Sequence, residues 1–448
     1  MLIINGHLIT WETPNRILKD HALYINNGTI VEIGPTSSIK VKYPSEKVLD
    51  ANKQYVMPGN ICAHTHFYGA YARGLSVGGG NPKDFPEILR NLWWALDKSL
   101  ALEDVKLSTQ VCLLDAVRHG TTTLVDHHAS PNAIEGSLDV IADAVQQSGL
   151  RASLCYEVTD RDGNQKAKAG IAENLRFIKR VQSEPELHGK ISATFGLHAS
   201  LTLSENTLDN CRQEIPDGFG IHIHVGEHPV DEYDSMDQYG TRVIDRLQRH
   251  QLLARDSIIV HGVHIDAEEI RILKEYQCWV THQPRSNMNN AVGLPEVQSM
   301  LRAGIKVCLG NDGFSNQMWE EWKAAYLAHK LWHLDPRWMP ANDIAQMAVY
   351  HNSQLATRLF NCGQIGIMTP GAKADLIFVD YQPFTEFNTM NLPWHIVFGF
   401  HESMITTTIV DGIILMLDRK LQTMDEEQII GDARKSSALV WERYSQQF

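Results

Sequence analysis

The chain has 448 residues, 43% hydrophobic and 21% charged, with a formal net charge of −13. That balance suits a globular enzyme with one large domain and a smaller one, and it argues against a nucleic-acid partner, whose phosphates call for a basic surface. Seven scattered cysteines without a C-x-x-C pair predict reduced thiols, and the lack of a leader pattern or of a run of about 18 apolar residues predicts a cytoplasmic protein with no membrane span.

From the start, Leu2 to Thr10 alternates apolar and polar residues as a strand does. Ala22–Ile25 and Thr29–Ile33 flank Asn26-Asn27-Gly28, a hairpin signal, and Val48 to Met57 reads as extended. The β-rich character returns at Ala374–Asp380 and Thr406–Leu415, and residues 425–446 read as a closing helix. Two β-rich ends around a different middle predict a small β-sandwich built from residues 1–57 and 364–448, enclosing a central domain of residues 58–363.

In that middle, short β-rich runs lie near 60–64, 122–127, 151–157, 190–196, 219–225, 257–261, 278–282 and 305–311. Helical stretches such as Leu102 to His119, Ser137 to Ser148 and Ala267 to Tyr276 separate them. Eight strands with crossovers predict an α/β fold of the (β/α)8 TIM-barrel type, ahead of a doubly wound open sheet. No G-x-G-x-x-G follows a strand, and Gly78-Gly79-Gly80 lacks a following Gly-Lys-Ser/Thr, so it reads as a flexible loop and not as a phosphate cradle.

In such a barrel the chemistry sits where the strands end. Run one ends in His64-Thr65-His66, whose histidines share one face because strand residues i and i+2 point the same way. Run five carries His222 and His224 followed by Glu227. His224 lies nearer the mouth and is the expected ligand, while His222 is expected in the core or in support. Run six ends in His261, and run eight leads into Asp312-Gly313. Three imidazoles and a carboxylate suit a divalent ion with a position left for water, whose pKa it would lower toward roughly 7. A second carboxylate must then move protons, and Glu227, three residues beyond His224, is the candidate. Phe67, Tyr68, Tyr71, Trp93 and Trp94 either form a stacking wall for a flat ring or pack the top of the barrel. Arg73 either holds the first loop or meets a substrate anion, and His127 and His128 either line the pocket or cap their strand.

With these residues in place the chain resembles the amidohydrolase superfamily, in the branch of guanine deaminase, chlorotriazine hydrolases and adenosine-derivative deaminases. The resemblance runs through Pro58-Gly59 before His64-Thr65-His66, Arg73-Gly74-Leu75, His119-Gly120-Thr121-Thr122-Thr123, His224 with Glu227, His261, His282-Gln283-Pro284-Arg285-Ser286-Asn287, Asp312-Gly313 and Pro370-Gly371-Ala372-Lys373-Ala374-Asp375-Leu376. Within the branch it is similar to the SsnA-type aminohydrolases through Asp126 to Ala133, Leu154 to Val158 and Ser286 to Gly293.

The resemblance implies that His64, His66, His224 and Asp312 hold the ion. It also implies that Asp312 takes a proton from the attacking water, that His261 hydrogen-bonds or weakly ligates nearby, and that Glu227 shuttles protons to a substrate ring nitrogen. His198, Asp97, Trp94 and Asn287 become substrate-binding candidates, with Asp97 standing where relatives often have glutamate. Two-metal relatives carry a lysine at the end of strand four, whereas Lys190 lies at the beginning of that run. One divalent transition metal per chain is therefore expected, zinc ahead of iron. The expected reaction is hydrolysis of a carbon–nitrogen bond by a metal-dependent aminohydrolase acting on an amino-substituted heterocycle. Dechlorination of a chlorinated ring and cyclic-amide hydrolysis are the rival reactions, and a non-catalytic scaffold is a distant third. The expected partner is a small-molecule substrate, with no nucleic acid and no membrane; a homo-oligomer is left open.

Overall fold

A computed structural model describes all 448 residues. Five strands open the chain: β1 (Leu2–Ile9), β2 (Ile17–Asn26), β3 (Thr29–Pro35), β4 (Val48–Asp50) and β5 (Tyr55–Pro58). Nine strands follow in the middle: β6 (Asn60–Thr65), β7 (Thr121–Asp126), β8 (Arg151–Leu154), β9 (Ile191–Ala193), β10 (Phe195–Ala199), β11 (Ile221–Val225), β12 (Ile258–His261), β13 (Trp279–His282) and β14 (Lys306–Leu309). Four close it: β15 (Leu376–Val379), β16 (Ile405–Val410), β17 (Ile413–Leu417) and β18 (Lys420–Leu421), before a helix at Glu426–Ser445.

Strands from both termini join one mixed nine-stranded sheet in the order β18-β17-β16-β15-β5-β1-β2-β3, with β4 also on β1. Where a sandwich is expected, the hydrogen bonding is that of a single continuous sheet with a packed core on each face. The period-two pattern explains the two cores: Ile3, Leu23, Val56 and Phe378 bury on one side, and Leu2, Ile4 and Ala22 pack with Ile39 on the other. The expected hairpin forms, with Asn26 paired to Thr29 and Asn27 and Gly28 at φ 46° and 72°, the left-handed values a tight two-residue turn demands.

The middle strands form two parallel sheets, β6-β7-β8-β9 and β10-β11-β12-β13-β14. Run four is divided at Thr194: β9 pairs with β8 and β10 pairs with β11. Nearly every residue of these strands is buried, which is why they read as apolar runs without alternation. At the other seam the amides of Asn311 and Asp312 donate to the His64 carbonyl at 2.9 and 3.1 Å, bringing the end of β14 against β6. Only glycine permits that approach, because a Cβ on Gly310 would lie 2.7 Å from the backbone N and O of His64.

The closing helix fixes the turn that follows His66. Tyr71 Oη donates to Ser436 Oγ at 2.9 Å, and Trp441 Nε1 donates to the Tyr71 carbonyl at 2.9 Å. All seven cysteines are unpaired, and no helix is long and apolar enough to cross a membrane.

Candidate metal and active site

The donor atoms of His64, His66, His224 and Asp312 all lie within 4.8 Å of one another. Asp312 Oδ1 is 2.9 Å from His64 Nε2 and 3.2 Å from His66 Nε2, and the Nε2 atoms of His66 and His224 are 3.2 Å apart. Four donors set tetrahedrally around zinc at ordinary bond lengths stand roughly 3.3 Å apart, so this set fits a divalent ion. The ring orientations agree. His66 Nδ1 bonds the His127 carbonyl at 2.5 Å and His224 Nδ1 bonds the His198 carbonyl at 2.9 Å, which places those protons on Nδ1 and turns Nε2 toward the ion position. His64 Nδ1 lies 2.9 Å from His222 Nε2, so the buried His222 braces the His64 ring.

Two residues of the site hold left-handed backbone, His261 at φ 69° and Asp312 at φ 57°. Such conformations cost about 1–3 kcal/mol each and persist where the surroundings over-determine them. For Asp312 the surroundings are the paired amides on His64. His261 Nδ1 bonds Asn287 Nδ2 at 3.0 Å, and its buried Nε2 has no hydrogen-bond partner, though Glu227 Oε2 lies 3.3 Å away and Asp312 Oδ2 3.9 Å. Ser286 Oγ donates to Asp312 Oδ2 at 2.5 Å, and Asn290 Nδ2 donates to Glu227 Oε1 at 3.3 Å.

The two carboxyls are driven apart in acidity. Burial, reinforced by the charge of Asp312, raises Glu227 well above the usual range. Burial would raise Asp312 as well, but His261, His64 and His66 hold it well below. The environment thus favours the protonated form at Glu227 and the ionised form at Asp312. Burial pushes His64 down to about 3. His66 goes the other way: against burial, Asp312 and Glu157 push it up to about 9 in the ion-free protein.

The cleft above these residues holds about 700 Å³ of non-atom space, open solvent at the mouth included. Tyr68, Trp93 and Trp94 line it, together with Asp97 and His198. Burial pushes Asp97 up to about 7, with Arg161 opposing. Its Oδ2 pairs with Arg161, while its Oδ1 and the nearby Trp94 Nε1 are buried without partners.

Other candidates lie elsewhere. Asn287 is fully buried behind His261 and does not line the cleft. Phe67 and Tyr71 pack in the core, and Arg73 lines a separate neighbouring cleft with Asp115 and His119. His127 bonds Glu157 Oε1 at 3.0 Å and the His222 carbonyl at 2.9 Å, and His128 bonds Ser130 Oγ at 2.9 Å; neither lines the cleft. Lys190 Nζ reaches the Gly149 carbonyl at 3.5 Å, and no lysine or arginine lines the cleft.

Sequence reasoning gave no role to Glu157, Ser286 or Asn290, although all three lie in stretches that carry the resemblance. A carboxylate closing a buried β run was the available signal for Glu157. Ser286 and Asn290 belong to the short helix Pro284–Asn289 and its cap, where only the fold tells which face meets the site.

The profile of the amidohydrolase family matches residues 55–415. A 5'-deoxyadenosine deaminase of Methanosarcina mazei is 31% identical over 443 residues, 98% of this chain and 97% of that protein. A 5-methylthioadenosine/S-adenosylhomocysteine deaminase of Syntrophomonas wolfei is 30% identical over 446 residues, 98% of each chain. Among solved structures, an adenosine deaminase from Xanthomonas campestris with bound zinc has a TM-score of 0.83 at 23% identity, covering 100% of this chain and 98% of its own.

Proposed function

Because the chain belongs to the amidohydrolase family and is a hydrolase of carbon–nitrogen bonds, we propose that it deaminates an amino-substituted heterocycle, with adenosine derivatives such as 5'-deoxyadenosine the leading class. The observation that carries this reading is the four-donor set with the buried Glu227 carboxyl gathered beside Asp312 and His261. We read the two parallel sheets as one closed (β/α)8 barrel over residues 58–363, and residues 1–57 with 364–448 as a second unit built on the nine-stranded sheet, in a cytoplasmic enzyme.

In this reading His64, His66, His224 and Asp312 hold one divalent ion, zinc before iron. When bound, such an ion lowers the pKa of water toward about 7 and so supplies hydroxide at neutral pH. The lack of a lysine in the cleft supports one ion over two. Asp312 Oδ2 takes the proton from the attacking water. Negative charge builds on the ring nitrogen beside the amino-bearing carbon, and the Glu227 carboxyl gives that nitrogen its proton. His261 Nε2, unpartnered and facing Glu227 and Asp312, hydrogen-bonds the oxygen arriving between them. Asp312 then passes its proton to the departing amine, and Glu227 recovers one from the hydroxyl of the tetrahedral adduct as the carbonyl forms. One water is consumed and one ammonia leaves. Tyr68, Trp93 and Trp94 stack on the ring, and the unpartnered Asp97 Oδ1 and Trp94 Nε1 take its polar substituents.

The test is a release assay over adenosine derivatives, other purines, pterins, pyrimidines and triazines, scoring ammonia and chloride. Ammonia from an adenosine derivative at kcat/KM of about 10⁴ M⁻¹s⁻¹ or more is expected. Ring opening without ammonia, or chloride from halogenated rings alone, would refute the reading.

A further inference from the structure

Glu157 is a buried carboxylate in the cleft wall to which the steps above assign nothing. It is 2% exposed, and its amide bonds the His128 carbonyl at 2.8 Å just beyond β8. Oε1 is engaged by His127 Nδ1 at 3.0 Å and stands 3.5 Å from His66 Nδ1. Oε2 has no hydrogen-bond partner in the protein and stands 3.8 Å from His198 Nε2, outside bonding reach. The Thr202 hydroxyl lies 3.0 Å from the Ala199 carbonyl and 2.8 Å from His198 Nδ1; when it donates to the carbonyl, the ring donates to it from Nδ1. In the neutral ring His198 Nε2 then presents a lone pair. Glu157 Oε2 and, in that tautomer, His198 Nε2 are two acceptors side by side in the cleft with no donor from the protein, open to a donor on a bound molecule.

The rest of the lining sharpens the chemistry. Five carboxylates line the cleft, Asp97, Glu157, Glu227, Asp231 and Asp312, with no lysine or arginine. Asp231 is spent on the amides of Leu201 and Gly226, each at 2.9 Å, and Asp97 pairs with Arg161 through Oδ2, its Oδ1 staying unpartnered. Glu227 and Asp312 gather with His261, whereas Glu157 gathers with His127, so the two sets of carboxylates approach the ion position from different neighbours.

We propose that Glu157 is a specificity residue: its Oε2, with His198 Nε2 beside it, accepts a pair of N–H or O–H donors on the substrate. The site thereby takes an uncharged or cationic ring bearing such donors and turns away a phosphate or carboxylate. This rests on the deaminase reading, and the donors can come from the ring or from an attached sugar. Calorimetry on the zinc-loaded protein distinguishes the sources, in a Glu227→Gln background that slows turnover. One pair of probes is 2,6-diaminopurine against adenine, for a ring donor; the other is adenosine against 2',3'-dideoxyadenosine, for sugar hydroxyls. The donor-bearing member of one pair should bind roughly 10–100-fold tighter, as a hydrogen bond to a charged group allows, and adenosine 5'-monophosphate should bind at least about tenfold more weakly than adenosine.

Adding Glu157→Gln or Glu157→Ala should bring that ratio close to 1 while zinc content and the affinity of the donor-poor member hold. An unchanged ratio, an equal loss for both members, or loss of zinc would each overturn the proposal. The ammonia assay on the otherwise native protein separates the two readings. Ammonia release with a Glu157-independent ratio sinks only the specificity role. Glu157-dependent binding without ammonia from any probe sinks only deamination. No binding of any probe sinks both.

Discussion

Loading the site with zinc should displace a proton from His66, and the amount should depend on pH. In the ion-free protein Asp312 and Glu157 push that ring up to about 9 although burial opposes them. With Nδ1 already bonded to the His127 carbonyl, the extra proton sits on the Nε2 that the ion needs. At pH 7 the ring is about two units below its pKa, and removing the proton costs roughly 2.7 kcal/mol, about a hundredfold in apparent affinity. The sign is fixed: a proton held below about 9 competes with the ion. Affinity should therefore rise about tenfold per unit from pH 7 and flatten near 9. The same proton stabilises the ion-free fold below the ordinary histidine value of 6.5, and that contribution should fade as pH rises through about 9. The assay is calorimetry of zinc binding to apoprotein in pairs of buffers with different ionisation heats, at pH 7 and near pH 9.5. About one more proton per zinc should be displaced at the lower pH. Asp312→Asn, which removes the attraction that raises His66, should shrink the difference while weakening binding overall. Equal proton counts at both pH values would refute the argument.

Other outcomes follow from the same geometry. Glu227→Gln should keep the fold and the zinc but lose roughly 10²–10⁴ in kcat, measured by ammonia release alongside elemental analysis. Because Glu227 is raised and acts while protonated, the native enzyme's kcat/KM should fall on the alkaline side, and the variant's residual activity should lack that limb. Changing both His64 and His66 to alanine should take the metal from close to one ion per chain to none; two ions in the native protein would contradict the single-ion reading. Gly310→Ala should destabilise by about 1–3 kcal/mol in thermal or denaturant unfolding, since its Cβ has no room against the His64 backbone.

Much of this protein is legible in one dimension. The runs that become β6, β11, β12 and β14 are apolar because the strands are buried throughout, and their ends announce His64, His66, His224, His261 and Asp312 by residue type alone. The hairpin at Asn27-Gly28 and the closing helix follow from turn chemistry and helical periodicity, which are local properties. Side-chain direction at short connecting turns is not local. The turn at Phe67–Ala72 sends Tyr68 to the cleft but Phe67 and Tyr71 into the core, a choice made by the helix at Glu426–Ser445, more than 350 residues away, through Ser436 and Trp441. Asn287 and Asn290 are one helical turn apart, yet one holds His261 and the other Glu227. Residue order showed Glu227 and Asp312 as two carboxylates at strand ends; only their meeting around His261 drives one acidity up and the other down, because desolvation and charge act through space and not along the chain.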